Sequence, residues 1–241
     1  MTTTEGVGPP RAAVVVLAAG EGRRAGHETN KVLLPLAGHP VFTWSIRSAT
    51  TLPDVSHVVL VVRDTDRESV TSTLARELTD VPVAVVVGGS SRHESEWRAL
   101  LALTPVIDAG EVDVVVVHDA ARPLAGAGLF RDVIEGAHAY GAALPGLGQP
   151  ALVDIEEPTT AQPRRTASVQ TPQAFRAADL LAAYTSAEAD GFVGTDTASC
   201  VERYTDLEVH LVDGDARNIK VTFADDILLA ECLLAAEGTG G

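Results

Sequence analysis

The sequence predicts a doubly wound α/β domain on a mostly parallel sheet, and three observations carry that expectation. Short runs of valine and alanine, each of strand length, alternate with stretches of helical periodicity. The first run leads directly into a glycine-rich loop, as at the carboxyl edge of an open sheet. The chain has 241 residues, 46% of them hydrophobic and few aromatic, which is enough to bury one large core.

Residues 12–17 read as a buried strand, because an unbroken apolar run bounded by a glycine turn suits the middle of a parallel sheet. Residues 41–49 follow as a helix, 57–62 as a strand and 67–78 as a helix. Two further strands at 81–87 and 112–117 flank a helix over 92–103. Right-handed crossovers between these strands bring the loops after them to one edge. After Ala143 the rhythm breaks. Pro145, Pro150, Pro158 and Pro163, with Gly146 and Gly148, mark loop or edge-strand material and an excursion that suits an arm packing on another subunit. The pattern resumes with a helix over 180–189 and a strand over 208–212, and ends with a helix over 223–236 that takes Thr222 as its N-cap. The expected organisation is a flexible stretch over 1–11, one domain over 12–237 and an arm over 144–170.

A net charge of −15 argues against a protein that coats nucleic acid, because neutralising phosphates takes basic surface. It leaves room for a small phosphorylated ligand held by a local cluster of cations. The apolar runs are too short to span a bilayer, and residues 1–11 lack a basic start followed by an apolar stretch, so a cytoplasmic location without membrane contact is expected. Cys200 and Cys232 match no metal spacing and read as reduced thiols.

Two lysines stand against sixteen arginines, and both sit in motif-like text. A lysine kept where arginine supplies the general charge suggests a site that uses a compact ammonium. Lys31 closes the segment Ala18-Ala19-Gly20-Glu21-Gly22-Arg23-Arg24-Ala25-Gly26-His27-Glu28-Thr29-Asn30-Lys31. Its glycines let successive backbone N–H groups approach an anion, and its cations suit a triphosphate. The Gly20-x-Gly22-x-x-x-Gly26 spacing misses the dinucleotide fingerprint by one residue, and the lysine-serine or lysine-threonine ending of a P-loop is absent. A dehydrogenase and a Walker-type ATPase both lose ground. In His118-Asp119-Ala120-Ala121-Arg122-Pro123 the aspartate at a strand end suits a Mg²⁺ ion or a ligand hydroxyl, and Arg122 suits a phosphate; alone, the same residues read as a turn cap with its ion-pair partner. Asn218-Ile219-Lys220-Val221-Thr222 carries the second lysine toward the same edge, with Asp213 and Asp215 as candidate partners of Arg217. Gln170-Thr171-Pro172-Gln173 and Thr195-Asp196 offer hydroxyls and amides suited to a polyol.

Taken in order, Leu17-Ala18-Ala19-Gly20-x-Gly22-Arg23-Arg24 with Lys31, Gly88-Gly89 with Arg92 and Ser95, His118 to Pro123, Gln170 to Gln173, Thr195-Asp196 and Asn218 to Thr222 resemble the cytidylyltransferases of the 2-C-methyl-D-erythritol 4-phosphate and ribitol 5-phosphate group. The resemblance covers residues 12–235 and implies a Rossmann-like sheet of nucleotidyltransferase type with a small protruding β arm. It implies an enzyme that joins CMP from CTP to 2-C-methyl-D-erythritol 4-phosphate, with Mg²⁺, and releases pyrophosphate in the non-mevalonate route to isoprenoids. It assigns Arg24, Lys31 and Lys220 to the phosphates, and Ala18, Ala19, Gly20 and Gly22 to wrapping the triphosphate. Gly88, Gly89 and Ser95 would face cytosine and ribose, while Asp119, Arg122, Thr171 and Thr195 would line the acceptor pocket, with Asp119 also the metal ligand. It further implies a homodimer in which Arg164 or Arg165 reaches the partner's site. The group's usual aspartate-threonine pair and following basic residue are missing from residues 145–152. Ribitol 5-phosphate or another polyol or alcohol phosphate therefore stands as an alternative acceptor, and a CTP-binding module without catalysis as an alternative role.

Overall fold

The alanine and valine run forms β1 (Ala12–Leu17) at the middle of an eight-stranded sheet, where its side chains are buried on both faces. The computed structural model describes residues 8–20, 30–149, 166–223 and 225–238. A small hairpin of β2 (Pro35–Leu36) and β3 (His39–Pro40) precedes α1 (Val41–Thr50). Next come β4 (Val55–Val62), α2 (Arg67–Glu77), β5 (Val83–Val87), α3 (Arg92–Asp108), β6 (Val114–Asp119) and α4 (Ala127–Tyr140). Then follow β7 (Ala142–Gln149), β8 (Thr166–Val169), β9 (Gln173–Arg176), α5 (Ala177–Asp190), α6 (Thr197–Tyr204), β10 (Val209–Asp213) and α7 (Asp225–Gly238).

The strand order is β10-β7-β9-β6-β1-β4-β5, with β8 paired to β7. β1 is parallel to β4 and β6, and β4 to β5, while β9 runs antiparallel between β6 and β7. Chain order reverses at β1, so the crevice between the β1 and β6 carboxyl ends is the topological switch point where such sheets take ligands. Alternation along β1 splits the core: Val14 and Val16 pack with α1 and α4 on one face, Ala13 and Val15 with α3 and α5 on the other.

Strands and helices 12–17, 41–49, 57–62, 67–78 and 92–103 stand where expected, although α3 continues to Asp108 with Pro105 in its last turn. Residues 142–149, expected to leave the sheet, instead form an interior strand between β10 and the pair β9 and β8. Pro145 is tolerated because it falls where β7 changes neighbours, from β9 at 142–143 to β8 at 146–149. The tip of the expected arm, 150–165 with Arg164 and Arg165, lies outside the described residues, as do residues 1–7. Arg11 is tied to Asp113, its backbone N–H donating at 2.9 Å. α7 begins at Asp225, two residues later than expected. The Asp226 carboxylate reaches back to accept from the backbone N–H groups of Thr222 and Phe223 at 2.7 and 2.8 Å. Asp196 is the N-cap of α6 in a capping box with Ser199, a structural use of residues read as polyol ligands.

α4, which periodicity did not reveal, packs on β7 through Gly136, where an added Cβ would lie 2.7 Å from the Cβ of Ala143. An alanine neighbour has no side-chain freedom with which to retreat. Gly136→Ala is expected to lower stability by about 1–2 kcal/mol, overpacking outweighing the gain in helix propensity. A urea midpoint equal to or above that of the parent chain would contradict this packing.

Candidate functional site

Register brings the first glycine loop and the strand-end aspartate together: Leu17 of β1 pairs with Asp119 of β6. The loops after β1, β5 and β6 and the segment before α7 then enclose a cavity of about 360 Å³. Ala18, Ala19, Gly20 and Lys31 line one side, Gly89, Ser90, Ser91 and Arg92 another, and Asp119 and Lys220 the floor.

Asp119 is almost wholly buried. Its Oδ1 accepts from Arg92 Nη1 at 2.5 Å and its Oδ2 from Lys220 Nζ at 2.6 Å. Burial alone would raise its carboxyl, but the two cations hold it well below the usual carboxylate range. Its backbone N–H donates to the Thr171 hydroxyl at 3.0 Å, and that hydroxyl lies 3.2 Å from Nδ1 of the buried His118. Nε2 of His118 lies 3.2 Å from the Arg122 carbonyl, which can only accept. The network therefore assigns the proton to Nε2 and makes Nδ1 the acceptor from Thr171. Burial pushes the His118 imidazole down to about 4.

Lys220 is brought to Asp119 by three bonds across the turn: Val221 N–H to the Ala121 carbonyl at 2.8 Å, Arg122 Nη1 to the Asn218 carbonyl at 2.7 Å, and Asn218 Nδ2 to the Thr171 carbonyl at 2.9 Å. Lys31 follows Asn30, whose buried amide donates to the Ala18 carbonyl at 3.0 Å and to Asp66 at 2.8 Å. That amide links the far end of the glycine loop to the end of β1. Across the cavity, Ser91 caps α3 by accepting from Glu94 N–H, and the Glu94 carboxylate accepts from Ser90 N–H at 2.7 Å. Gly88 lies behind this wall, where an added Cβ would meet the Ala19 Cβ at 2.6 Å. The Ser95 hydroxyl, at the cavity edge, donates to the Ser91 carbonyl at 2.8 Å and holds Gly89 N–H at 3.1 Å.

Of the residues expected at the site, Ala18, Ala19, Gly20, Lys31, Gly89, Ser95, Asp119 and Lys220 line this cavity. Gly22 and Arg24 lie outside the described residues. Three expected acceptor contacts are placed otherwise. Thr171 is buried beneath Asp119 with its hydroxyl engaged, Arg122 is turned to the Asn218 carbonyl, and Thr195 is exposed in the turn before α6. Gln170 and Gln173 are likewise buried, and Gln170 spends its amide on the backbone of Asp215. Sequence reasoning did not assign Asn30, Ser90, Ser91 or Arg92 to the site. The Gly-Gly-Ser-Ser run before a helix was the available signal for the last three.

Among the described residues the charged groups lining the cavity are Lys31, Arg92 and Lys220 against Asp119, a net positive set in a protein of net charge −15. Among the described residues no three His, Cys, Asp or Glu side chains gather into a metal cage. One carboxylate facing the cavity fits Mg²⁺, which is held by one or two carboxylates together with substrate phosphates and water. Each Asp119 oxygen keeps a second lone pair beyond the one given to its cation.

The family model for 2-C-methyl-D-erythritol 4-phosphate cytidylyltransferase, IspD, matches residues 12–236. A relative from Solibacter usitatus, named 2-C-methyl-D-erythritol 4-phosphate cytidylyltransferase, is 36% identical, with 94% of this chain and 97% of that protein aligned. Among solved structures, 4-diphosphocytidyl-2C-methyl-D-erythritol synthase from Anaerococcus prevotii superposes with a TM-score of 0.79 at 25% identity, covering 94% of this chain and 96% of that one. The Thermus thermophilus cytidylyltransferase gives 0.71 at 28% identity, covering 93% and 99%.

A neutral buried His118 makes stability depend on pH. Its folded pKa lies below the unfolded value, so its contribution is complete above about pH 6.5 and is lost as pH falls toward 4, by up to about 3 kcal/mol. Urea unfolding at pH 7, 5.5 and 4.5 should show the parent chain losing this increment and His118→Gln lacking it. Parallel losses in the two proteins would contradict the assignment.

Proposed function

Because the chain belongs to the 2-C-methyl-D-erythritol 4-phosphate cytidylyltransferase family, we propose that it transfers CMP from CTP to 2-C-methyl-D-erythritol 4-phosphate and releases pyrophosphate. The observation that carries this reading is the convergence of three cations and one buried carboxylate on a glycine-lined cavity at the sheet's switch point. An acceptor phosphate oxygen is already a nucleophile. It attacks the α-phosphorus, a new phosphoanhydride bond forms, and the bond to the bridging oxygen of the leaving pyrophosphate breaks. No proton has to be removed, so positioning and charge neutralisation supply the catalysis. That agrees with His118, which is buried and committed to the backbone rather than presented to the cavity.

In this reading the backbone of Ala18, Ala19 and Gly20 wraps the triphosphate, joined by Gly22. Lys31, Lys220 and Arg24 neutralise phosphate charge, and Gly89 and Ser95 form the wall beside the base and ribose, with Gly88 behind it. Asp119 positions Lys220 and would hold Mg²⁺, which supplies further neutralisation of the triphosphate when bound. Thr171 and Arg122 serve the acceptor side indirectly, by fixing Asp119 and the Lys220 segment. The proposal further takes residues 12–237 as one cytoplasmic catalytic domain, with the arm over 144–170 crossing to the second subunit of a homodimer. The antiparallel pairing of β7 with β8 is the base from which such an arm would leave the sheet.

The test is pyrophosphate release with each nucleoside triphosphate and Mg²⁺ against methylerythritol phosphate, ribitol phosphate and simpler alcohol phosphates. Release with CTP and methylerythritol phosphate is expected. Release only with another acceptor would move the enzyme to a different reaction, and CTP binding without release would leave a non-catalytic module. Lys31→Ala and Lys220→Ala are each expected to lower turnover by roughly 10²- to 10³-fold, the scale for one preorganised donor. Near-parental turnover in both would refute the phosphate roles.

A further inference from the structure

Glu96 is a carboxylate in the middle of α3, and it is almost fully buried. Four residues before it, Arg92 reaches the cavity wall, and its guanidinium lies between two acids. Nη1 donates to Asp119 Oδ1 at 2.5 Å, and Nε lies 2.8 Å from Oε1 of Glu96, an ion-pair contact without the alignment of a hydrogen bond. Glu96 is itself fixed from the far side. The Thr197 hydroxyl, at the start of α6, donates to Oε1 at 2.8 Å, and the Tyr184 hydroxyl of α5 donates to Oε2. Burial raises the Glu96 carboxyl, and Arg92 and the two hydroxyls oppose that rise. A buried acid of this kind is expensive to keep and is often replaceable by an apolar side chain without loss of stability. Core stability alone is therefore a poor account of it.

The two cations on Asp119 differ in the same respect. Among the described residues Lys220 pairs with one carboxylate and its side chain is 45% exposed, whereas Arg92 pairs with a carboxylate on each of two edges of its guanidinium and is 30% exposed. A long flexible side chain held at two points keeps one orientation. We propose that Glu96, braced by Tyr184 and Thr197, is a positioning residue that locks the Arg92 guanidinium against Asp119 at the wall of the nucleotide cavity. Lys220 is then the cation of the pair that turns to incoming phosphate. The proposal rests on the nucleotide-binding reading of this cavity, and Glu96 acts through Arg92 without touching substrate.

The experiment compares the full chain with Glu96→Gln and Thr197→Val by steady-state kinetics and by the arginine Nε–H resonances of ¹⁵N-arginine-labelled protein. With Arg92 unmoored, Glu96→Gln should raise the KM for CTP about 10-fold and leave kcat within about 3-fold. Thr197→Val should move KM the same way by about 2- to 3-fold. A merely structural role would reduce the active fraction, lowering kcat at constant KM. The Arg92 Nε–H signal, assigned by its loss in Arg92→Lys, should shift or broaden in both variants while that of Arg63 on Asp66 stays in place. An unchanged Arg92 resonance or an unchanged KM in a folded Glu96→Gln overturns the proposal. If Glu96→Gln does not fold, the same two readouts on Thr197→Val decide it. Should the parent chain release no pyrophosphate from CTP, the transferase reading fails, and the resonance still decides whether Glu96 positions Arg92.

Discussion

The site depends on one buried carboxylate. Asp119 ends β6 inside the sheet's carboxyl edge, and its ionised form is kept there only because Arg92 and Lys220 each donate to one of its oxygens. The three residues come from the middle of the chain, the start of α3 and the approach to α7. The ion pairs therefore tie together segments 27 and 101 residues apart in sequence. Removing both cations would leave a buried carboxylate uncompensated, which is costly, on the order of 3–5 kcal/mol. The surrounding hydrogen bonds follow from this need. Thr171 takes the Asp119 N–H, His118 takes the Thr171 hydroxyl, and Asn218 fixes the turn that carries Lys220.

The sheet order explains why these groups meet at a cavity rather than in a packed core. β1 and β6 are neighbours in register, yet the chain leaves β1 through α1 toward β4 and leaves β6 through α4 toward β7, which lie on opposite sides of the pair in the sheet. The chain therefore separates at the carboxyl edge and leaves a gap lined by backbone. Alanines and glycines at 18–20 and 88–89 keep that gap open to a ligand, and the contact of Gly88 with Ala19 keeps its two walls close. Loop chemistry and strand packing are one constraint here. A side chain at Gly88 would press directly on the loop after β1.

Legibility in the sequence followed the range of the interactions. β1, β4 and β6 were legible because a buried parallel strand needs an unbroken apolar run, and Lys31, Asp119 and Lys220 were legible because each sits in local text unlike its surroundings. β7 was hidden because Pro145 and its glycines read as a break, and only the change of neighbour from β9 to β8 makes the proline harmless. α4 was hidden by Gly128 and Gly136, the second of which is small for the sake of Ala143. Glu96 could not be read at all. A glutamate within a helix suggests a solvated face, and what buries this one is Tyr184 and Thr197, 88 and 101 residues away. Thr171 failed in the opposite sense, since a hydroxyl suited to a polyol is equally suited to a backbone N–H once the chain folds over it.

The acid at the centre also settles how a protein of net charge −15 keeps a cationic pocket ready. Arg92 and Lys220 bind the two oxygens of one carboxylate, and without Asp119 these like charges would repel each other. With Asp119 between them the repulsion is offset before any ligand arrives, and both cations already line the cavity. Preorganisation of this kind removes reorganisation from the chemical step. In the proposed reaction it also makes Asp119 a competitor of the triphosphate for its own cations. The two cannot yield equally without leaving the carboxylate bare in a buried position. One cation has to stay, and the doubly held Arg92 is the one the geometry retains.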